Sequence, residues 1–350
     1  MTTLNDIGEK KFIADLLSEM PSDGRLIGGL GHDAAIISLP GSPTDLVFKI
    51  DRAAKPVAVP FGLGGYESWG RLAVTTNFSD ILAVGGVPLS FALSLSLPGT
   101  FLADDARAIS MGAAKACNEF GAVFSGGDTK ESNEAQVVGS SVGMIKKGTV
   151  WPRRAASAGD RILILGQIGD FLAGCIHLKR FSGDTLASSI KELICNPMPR
   201  MLEAEVLRST GLVTSATDLS DGLFEALCNV LPEGLGADLD YEKLPFSSAA
   251  LNIIQTASLD PFCLSASVGD WAILATVAED SVAGVLDLAE RTGAEISAVG
   301  TIVSFPEISV ERDQKRFKFN GVMNEHFRST LEKRDGYVEH AMRHLHLLEY

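Results

Sequence analysis

The stretch Gly121-Ala-Val-Phe-Ser-Gly-Gly-Asp-Thr-Lys130 narrows the possible folds more than any other. Ala122, Val123 and Phe124 read as a short buried strand, and Gly126 and Gly127 then break the chain just before Asp128. Paired glycines allow a sharp turn and a close approach of backbone to ligand. A carboxylate at an open strand end, beside bare N–H groups, suits a metal bound to phosphate. A plain Gly-Asp turn explains one such site equally well. Recurrence is what constrains the chain. Asp33, Asp51, Asp80, Asp128, Asp218 and Asp221 each lie near a glycine, at a strand end, or beside Ser or Asn.

The chain has 350 residues, enough for two domains with sizeable cores. A net charge of -14 argues against non-specific binding to nucleic acid or anionic membrane. Nucleotides stay open, because metal ions bridge acidic side chains to phosphates. The five cysteines form no Cys-x-x-Cys pair, so neither zinc nor a disulfide framework is expected. No basic-then-apolar leader and no run long enough to span a bilayer is read, so a cytoplasmic protein with reduced thiols is expected.

Apolar spacing over 6–19 predicts an amphipathic helix. Strands are expected at 34–39, 45–51, 89–97 and 136–145, and helices at 66–85 and 102–120. Residues 1–150 thus read as one α/β domain, Trp151–Asp160 as a linker, and 151–350 as a second domain. The second domain is expected to hold helices near 169–180, 198–209 and 220–230, strands near 213–217, 271–277 and 295–303, a hairpin over 307–319, and a last helix over 325–347.

Asn77 and Asp80 are three apart on a largely apolar helix, where a carboxylate needs a partner. Asp218-Leu-Ser-Asp-Gly222 sits where a strand gives way to a helix. Ser220 or Asp221 there could cap the helix or help hold phosphate. No Gly-x4-Gly-Lys-Ser/Thr is present, which excludes a P-loop enzyme. Gly29-Leu-Gly31-His-Asp-Ala34 matches a dinucleotide fingerprint, but strand rather than helix follows it. His340 and His344 have metal-ligand spacing on the last helix, though a solvated face explains them as well.

Taken in order, Gly31-His-Asp-Ala-Ala35, Asp51, Asn77-Phe-Ser-Asp80 with Gly85-Gly86-Val-Pro88, Gly126-Gly-Asp-Thr129, Arg153 before Gly159-Asp160, Pro197-x-Pro199-Arg200 and Asp218-Leu-Ser-Asp-Gly-Leu223 resemble the thiamine-monophosphate kinases, within the wider group of aminoimidazole-ribonucleotide (AIR) synthetase-like enzymes. The resemblance runs through most of the chain. It implies a two-domain α/β (α+β) fold of AIR synthase type. Residues 1–150 would bind ATP and Mg²⁺ and dimerise through a shared β-barrel, and 151–350 would form the C-terminal α/β domain. By position it implies Asp33, Asp51, Asp80, Asp128, Asp218 and Asp221 as magnesium ligands. Gly127, Asp128, Arg153 and Ser220 would be nucleotide contacts, and Asp221 and Asp128 would act at the transferred phosphate. Phosphoryl transfer needs mainly positioning and charge neutralisation, which such a set supplies.

Departures from the pattern concern the acceptor. His32 stands where the pattern has an acid, and Lys49-Ile50 stand where it has hydroxyls. Ser267-Val-Gly-Asp-Trp-Ala272 lacks the acid and tyrosine of the thiamine site. Arg52 and Lys55 add cations after Asp51, and Trp271 offers a flat ring. These residues point to an anionic small-molecule substrate other than thiamine monophosphate, bound at Arg52, Lys55 and Trp271. A homodimeric ATP-dependent kinase is the leading expectation. A synthetase of the same superfamily and a nucleotide-binding dimer without catalysis are the alternatives.

Overall fold

The computed structural model describes residues 2–21, 23–181, 185–321, 327 and 348–349. The first half runs α1 (Leu4–Ile7), α2 (Glu9–Glu19), β1 (Leu26–Ile27), β2 (Ala35–Ile37), β3 (Thr44–Ala53), α3 (Glu67–Ala83), β4 (Val87–Leu97), α4 (Ala103–Glu119), β5 (Val123–Glu131) and β6 (Gln136–Lys146). Its strands form one sheet in the order β1-β2-β3-β6-β4-β5. All pairs are antiparallel except β4 with β5, and α4 is the crossover that a parallel pair requires.

Helix α3 is buried from Ser68 to Ala83 apart from Leu72, so it reads apolar on nearly every side. Its polar groups are therefore partnered. Arg71 donates to both oxygens of Glu119 at 2.6 and 2.9 Å, and Thr75 donates to the Pro197 carbonyl at 2.9 Å. Helices α3 and α4 cross without a side chain between them at Gly70 and Gly112. A Cβ on Gly70 would overlap the Ile109 carbonyl, and one on Gly112 the Glu67 carbonyl. Both helices cover one face of the sheet, where Trp69, Phe78 and Ile109 pack on Phe91, Leu93 and Val137.

The opposite face of this sheet is bare in the single chain. Phe48, Ile50, Leu89, Val123 and Met144 are exposed. Residues 122–124 are thus not the buried strand expected. β5 is an edge strand paired only with β4, and Val123 faces out. Nor does the chain turn at Gly126-Gly127. The strand continues to Glu131, with an irregularity opposite Phe91 and Leu93. Gly127 is required there, because any Cβ would overlap the Leu93 carbonyl. The first-half strands form an open sheet within one chain, so the expected barrel is not closed by this chain alone.

The second half runs β7 (Arg161–Leu165), α5 (Asp170–Arg180), α6 (Ser188–Cys195), α7 (Met201–Thr210), β8 (Val213–Asp218), α8 (Leu223–Val230), β9 (Gly236–Asp240), α9 (Ser248–Thr256), β10 (Ile273–Val277), α10 (Val282–Thr292), β11 (Ile296–Val303), β12 (Ile308–Arg312), β13 (Lys315–Phe319) and β14 (Leu348–Glu349). They build a sheet in the order β14-β13-β12-β9-β11-β7-β10-β8. β10 is buried at every residue, as expected for a strand covered on both faces. The expected hairpin over 307–319 is present, whereas the last helix, with His340, His344 and His346, lies outside the described residues. Residues 151–160 are not a free linker. Trp151 is buried between Leu82 of α3 and Leu163, Leu165 and Ala216 of the second sheet. No described helix is long and apolar enough to cross a membrane.

Candidate active site

Where the two sheets meet lies a cavity of about 340 Å³, lined by both halves. The first half supplies Asp33, Lys49, Asp51, Thr76 and Asp80, and the second supplies Arg153, Asp218, Ser220, Asp221 and Trp271. Local structure explains the aim of each. On β3, Asp45, Val47, Lys49, Asp51 and Ala53 alternate inward, toward α3. Asp80 projects from the last turn of α3, and Asp218 ends β8. The loop after β8 leaves Ser220 and Asp221 beside the cavity. Neither caps α8, whose N-cap is Gly222 without a side-chain cap.

Charge at this junction is unbalanced. Lys49 Nζ lies 2.7 Å from Asp80 Oδ2, and Arg153 lies 3.7 Å from Asp33 Oδ1. Thr217 donates to Asp33 Oδ1 at 3.2 Å, while the buried Asp33 Oδ2 has no hydrogen-bond partner. Burial, only partly offset by Lys49, pushes the Asp80 carboxyl up to about 7. Burial and the nearby Asp80 and Asp33 hold Asp218 well above the usual carboxylate range. Carboxylates that are costly to ionise without a counter-ion are those a cation would stabilise.

These residues fit a magnesium ion by donor chemistry. The oxygens are hard, acidic and gathered from several elements, and one of them is orphaned. Among the described residues, no three His, Cys, Asp or Glu side chains form a ready-made metal cage. His32 does not replace the missing acid as a ligand. Its Nδ1 accepts from the Asp33 N–H at 2.8 Å, and its Nε2 donates to the Trp151 carbonyl at 2.9 Å. Both ring nitrogens are engaged in holding the loop that presents Asp33.

Several expected residues do not line the cavity: Gly127, Asp128, Arg52 and Lys55. The sheet register explains two of them. Arg52 pairs with Val138, Val138 with Ser94, and Ser94 with Asp128, so these residues share the outer face. Asp51, one residue earlier than Arg52, faces inward. Asp128 and the cavity therefore lie on opposite sides of one sheet. Lys55 lies beyond the end of β3 and is exposed.

Trp271 does line the cavity, with a left-handed φ of 54° and a buried indole N–H that has no partner. Its neighbour Asp270 turns away and accepts from Gly169 N at 2.7 Å and Phe171 N at 2.8 Å at the start of α5. Residues not anticipated from sequence also line the cavity, among them Ile13, Thr76, Glu225 and Asn229. Thr76 was legible by helical spacing, one turn from Asp80 on α3.

A two-sheet α/β chain with an acidic cavity at the junction defines a class. Residues 31–145 match the AIR synthase related protein N-terminal domain, and residues 157–313 match its C-terminal domain. Curated relatives include thiamine-monophosphate kinases. A thiamine-monophosphate kinase of Methanospirillum hungatei is 31% identical over 219 residues, covering 62% of this chain and 71% of the relative. One from Pyrococcus abyssi is 28% identical over 288 residues, covering 82% and 86%. The chain belongs to the AIR synthase related family, among its thiamine-monophosphate kinase-like members. The fold agrees with a solved structure, AaThiL complexed with AMPPCP and TMP, at a TM-score of 0.75 and 21% identity, over 93% of this chain and 99% of that one.

Proposed function

We propose that this chain transfers the terminal phosphoryl group of ATP, bound as its magnesium complex, to an anionic small molecule in the cavity. The observation that carries the reading is the convergence of Asp33, Asp51, Asp80, Asp218 and Asp221 with Arg153 at one junction. Such a set has little to do in covalent chemistry and much to do in positioning and charge control. When bound, magnesium would neutralise charge on the phosphates and leave the terminal phosphorus more electrophilic. Asp33 and Asp218 would hold it, Asp33 through Oδ2, which has no hydrogen-bond partner, while Lys49 covers Oδ2 of Asp80. Arg153 would orient the phosphate chain as a hydrogen-bonding fork. Ser220 would contact the nucleotide, and Asp221 would stand next to the transferred group and accept the acceptor's proton.

A second copy of the chain has a place in this reading. The outer face of the first sheet exposes Phe48, Ile50, Leu89 and Met144, and β5 leaves an unpaired edge. Packing that face on its own copy would bury the apolar side chains and complete the expected barrel across a two-fold axis. It would also carry Gly127 and Asp128, which lie on that sheet, to the neighbouring copy. Their role in holding nucleotide is then assigned to the dimer rather than to the cavity of their own chain.

For the acceptor, the reading rests on Trp271 and on the turned-away Asp270. Trp271 lines the cavity and has a buried indole N–H without a partner, and Asp270 beside it is engaged at the start of α5. An anionic molecule with a flat part suits the cavity, with Lys49 and Arg153 rather than Arg52 and Lys55 as the nearby cations. Incubating the purified chain with γ-labelled ATP, Mg²⁺ and a metabolite extract tests the reading. A labelled small molecule is expected. ATP binding with no label transferred, or ADP formed without a labelled product, would sink the kinase reading in favour of a silent dimer or a synthetase.

A further inference from the structure

We infer that Lys49 is a resident cation of the acidic cavity, holding by a covalent tether a position that a divalent ion would otherwise take beside Asp80, Asp51 and Asp218. The inference rests on the reading of the cavity as a metal–nucleotide site, and extends it to the number of ions held. Lys49 is not a solvated strand residue. It shares the inward face of β3 with buried Val47, and its side chain is only 23% exposed. Its ammonium sits 2.7 Å from Asp80 Oδ2. A compact ammonium is the side-chain group that most resembles a small metal ion, since it is a point charge with donors in several directions.

An ammonium and a divalent ion cannot share this position. A magnesium ion sits about 2.0–2.1 Å from its ligand oxygens. With Lys49 against Asp80, such an ion on the same oxygen would stand within about 4 Å of another cation, a repulsion that a half-buried site screens poorly. The cavity nevertheless keeps an uncovered acid. Asp33 Oδ2 is buried and without a hydrogen-bond partner; His32 Nδ1, which accepts from the Asp33 N–H, lies 3.6 Å from it, and the Arg153 guanidinium lies by the other oxygen at 3.7 Å. The cluster is thus divided. Beside Asp80 Oδ2 the chain supplies a cation of its own, whereas beside Asp33 Oδ2 it supplies only the His32 ring, with Nδ1 3.6 Å away.

Mn²⁺ is the probe, counted from loss of the free-ion paramagnetic resonance signal, with and without the non-hydrolysable analogue AMPPCP. Native chain, Lys49→Met and Lys49→Arg are compared. Lys49→Met is expected to bind one more Mn²⁺ per chain than the native protein, and Lys49→Arg the native number. Equal counts in the native and Met chains overturn the inference. If Lys49→Met unfolds in EDTA, its refolding on Mn²⁺ addition supports the inference. A Met chain that stays unfolded at every Mn²⁺ concentration overturns it, because a metal would then be unable to stand in for the ammonium. The count involves no turnover, so the role of Lys49 is tested even in a chain that transfers no phosphoryl group.

Discussion

Asp218 carries an opposition between stability and function at a single residue. Its carboxylate is buried beside Asp80 and Asp33, and its charge is costly without a cation beside it. Asp218→Asn is expected to weaken magnesium-dependent ATP binding by more than about ten-fold, the scale of a lost charged contact. In EDTA the same variant should melt at or above the native temperature, as sites strained for function often do. Calorimetric titration and a thermal melt check the two halves, and native affinity in the variant would remove Asp218 from the site. Trp271 carries the acceptor argument. With thiamine monophosphate as acceptor, kcat/KM is expected to fall below the ordinary range of about 10⁴ M⁻¹s⁻¹. A value above it would show that the altered 267–272 wall still accepts the relatives' substrate. Arg52 shows what a sequence makes legible and what it hides. Period-two alternation places Lys49 and Asp51 on one face and Arg52 on the other, so its absence from the cavity could have been read from parity alone. The turn of Asp270 toward α5 could not, because its partners, Gly169 and Phe171, lie about a hundred residues away.

Among the elements, α3 holds the site steady. It carries Asp80 and Thr76 toward the cavity while Arg71, on another side, clamps Glu119 of α4 and the Pro197 carbonyl. The Arg71 side chain is 8% exposed, so removing it leaves Glu119 without its partner and the Pro197 carbonyl with Thr75 alone. Arg71→Met should cost about 1.5–3 kcal/mol at pH 7, the range for hydrogen bonds to a charged group. The pH dependence has a definite sign. The bidentate bond to Arg71 lowers the Glu119 pKa below its ordinary 4.5. The stabilisation is therefore present above that value and is lost as pH falls through the folded pKa. The gap between native and variant should narrow in acid without closing, because the bond to Pro197 does not titrate. A gap that is constant down to about pH 3 would show that Glu119 contributes nothing. Elements with strong periodicity were legible, including α3, α4 and the long strands. Helix α10 was not anticipated although Val282, Val285, Leu286 and Ala289 have helical spacing, and β9 is too short and polar to stand out.

For the whole molecule, the outer face of the first sheet decides the assembly. A homodimer is expected by light scattering at micromolar concentration, and Ile50→Glu should convert it to monomer by placing a charge in the apolar face. A native monomer at that concentration would leave Asp128 without a nucleotide to reach. Family membership was legible because its motifs keep order and spacing through most of the chain. Whether the open sheet closes on a second copy is not legible from the residues themselves, since a single sequence does not say whether a bare face meets itself. One further feature sets the order in which parts of the molecule loosen. Helix α2 has no buried residue, yet Ile13 lines the cavity and Lys10 pairs with Glu225, which lines it too. An element with so little held inside opens at a small fraction of the global unfolding free energy. Its amide hydrogens should exchange with solvent deuterium long before those of β10, and bound nucleotide should slow that exchange. The first twenty residues would then report occupancy of a cavity to which they contribute one apolar side chain and one ion pair.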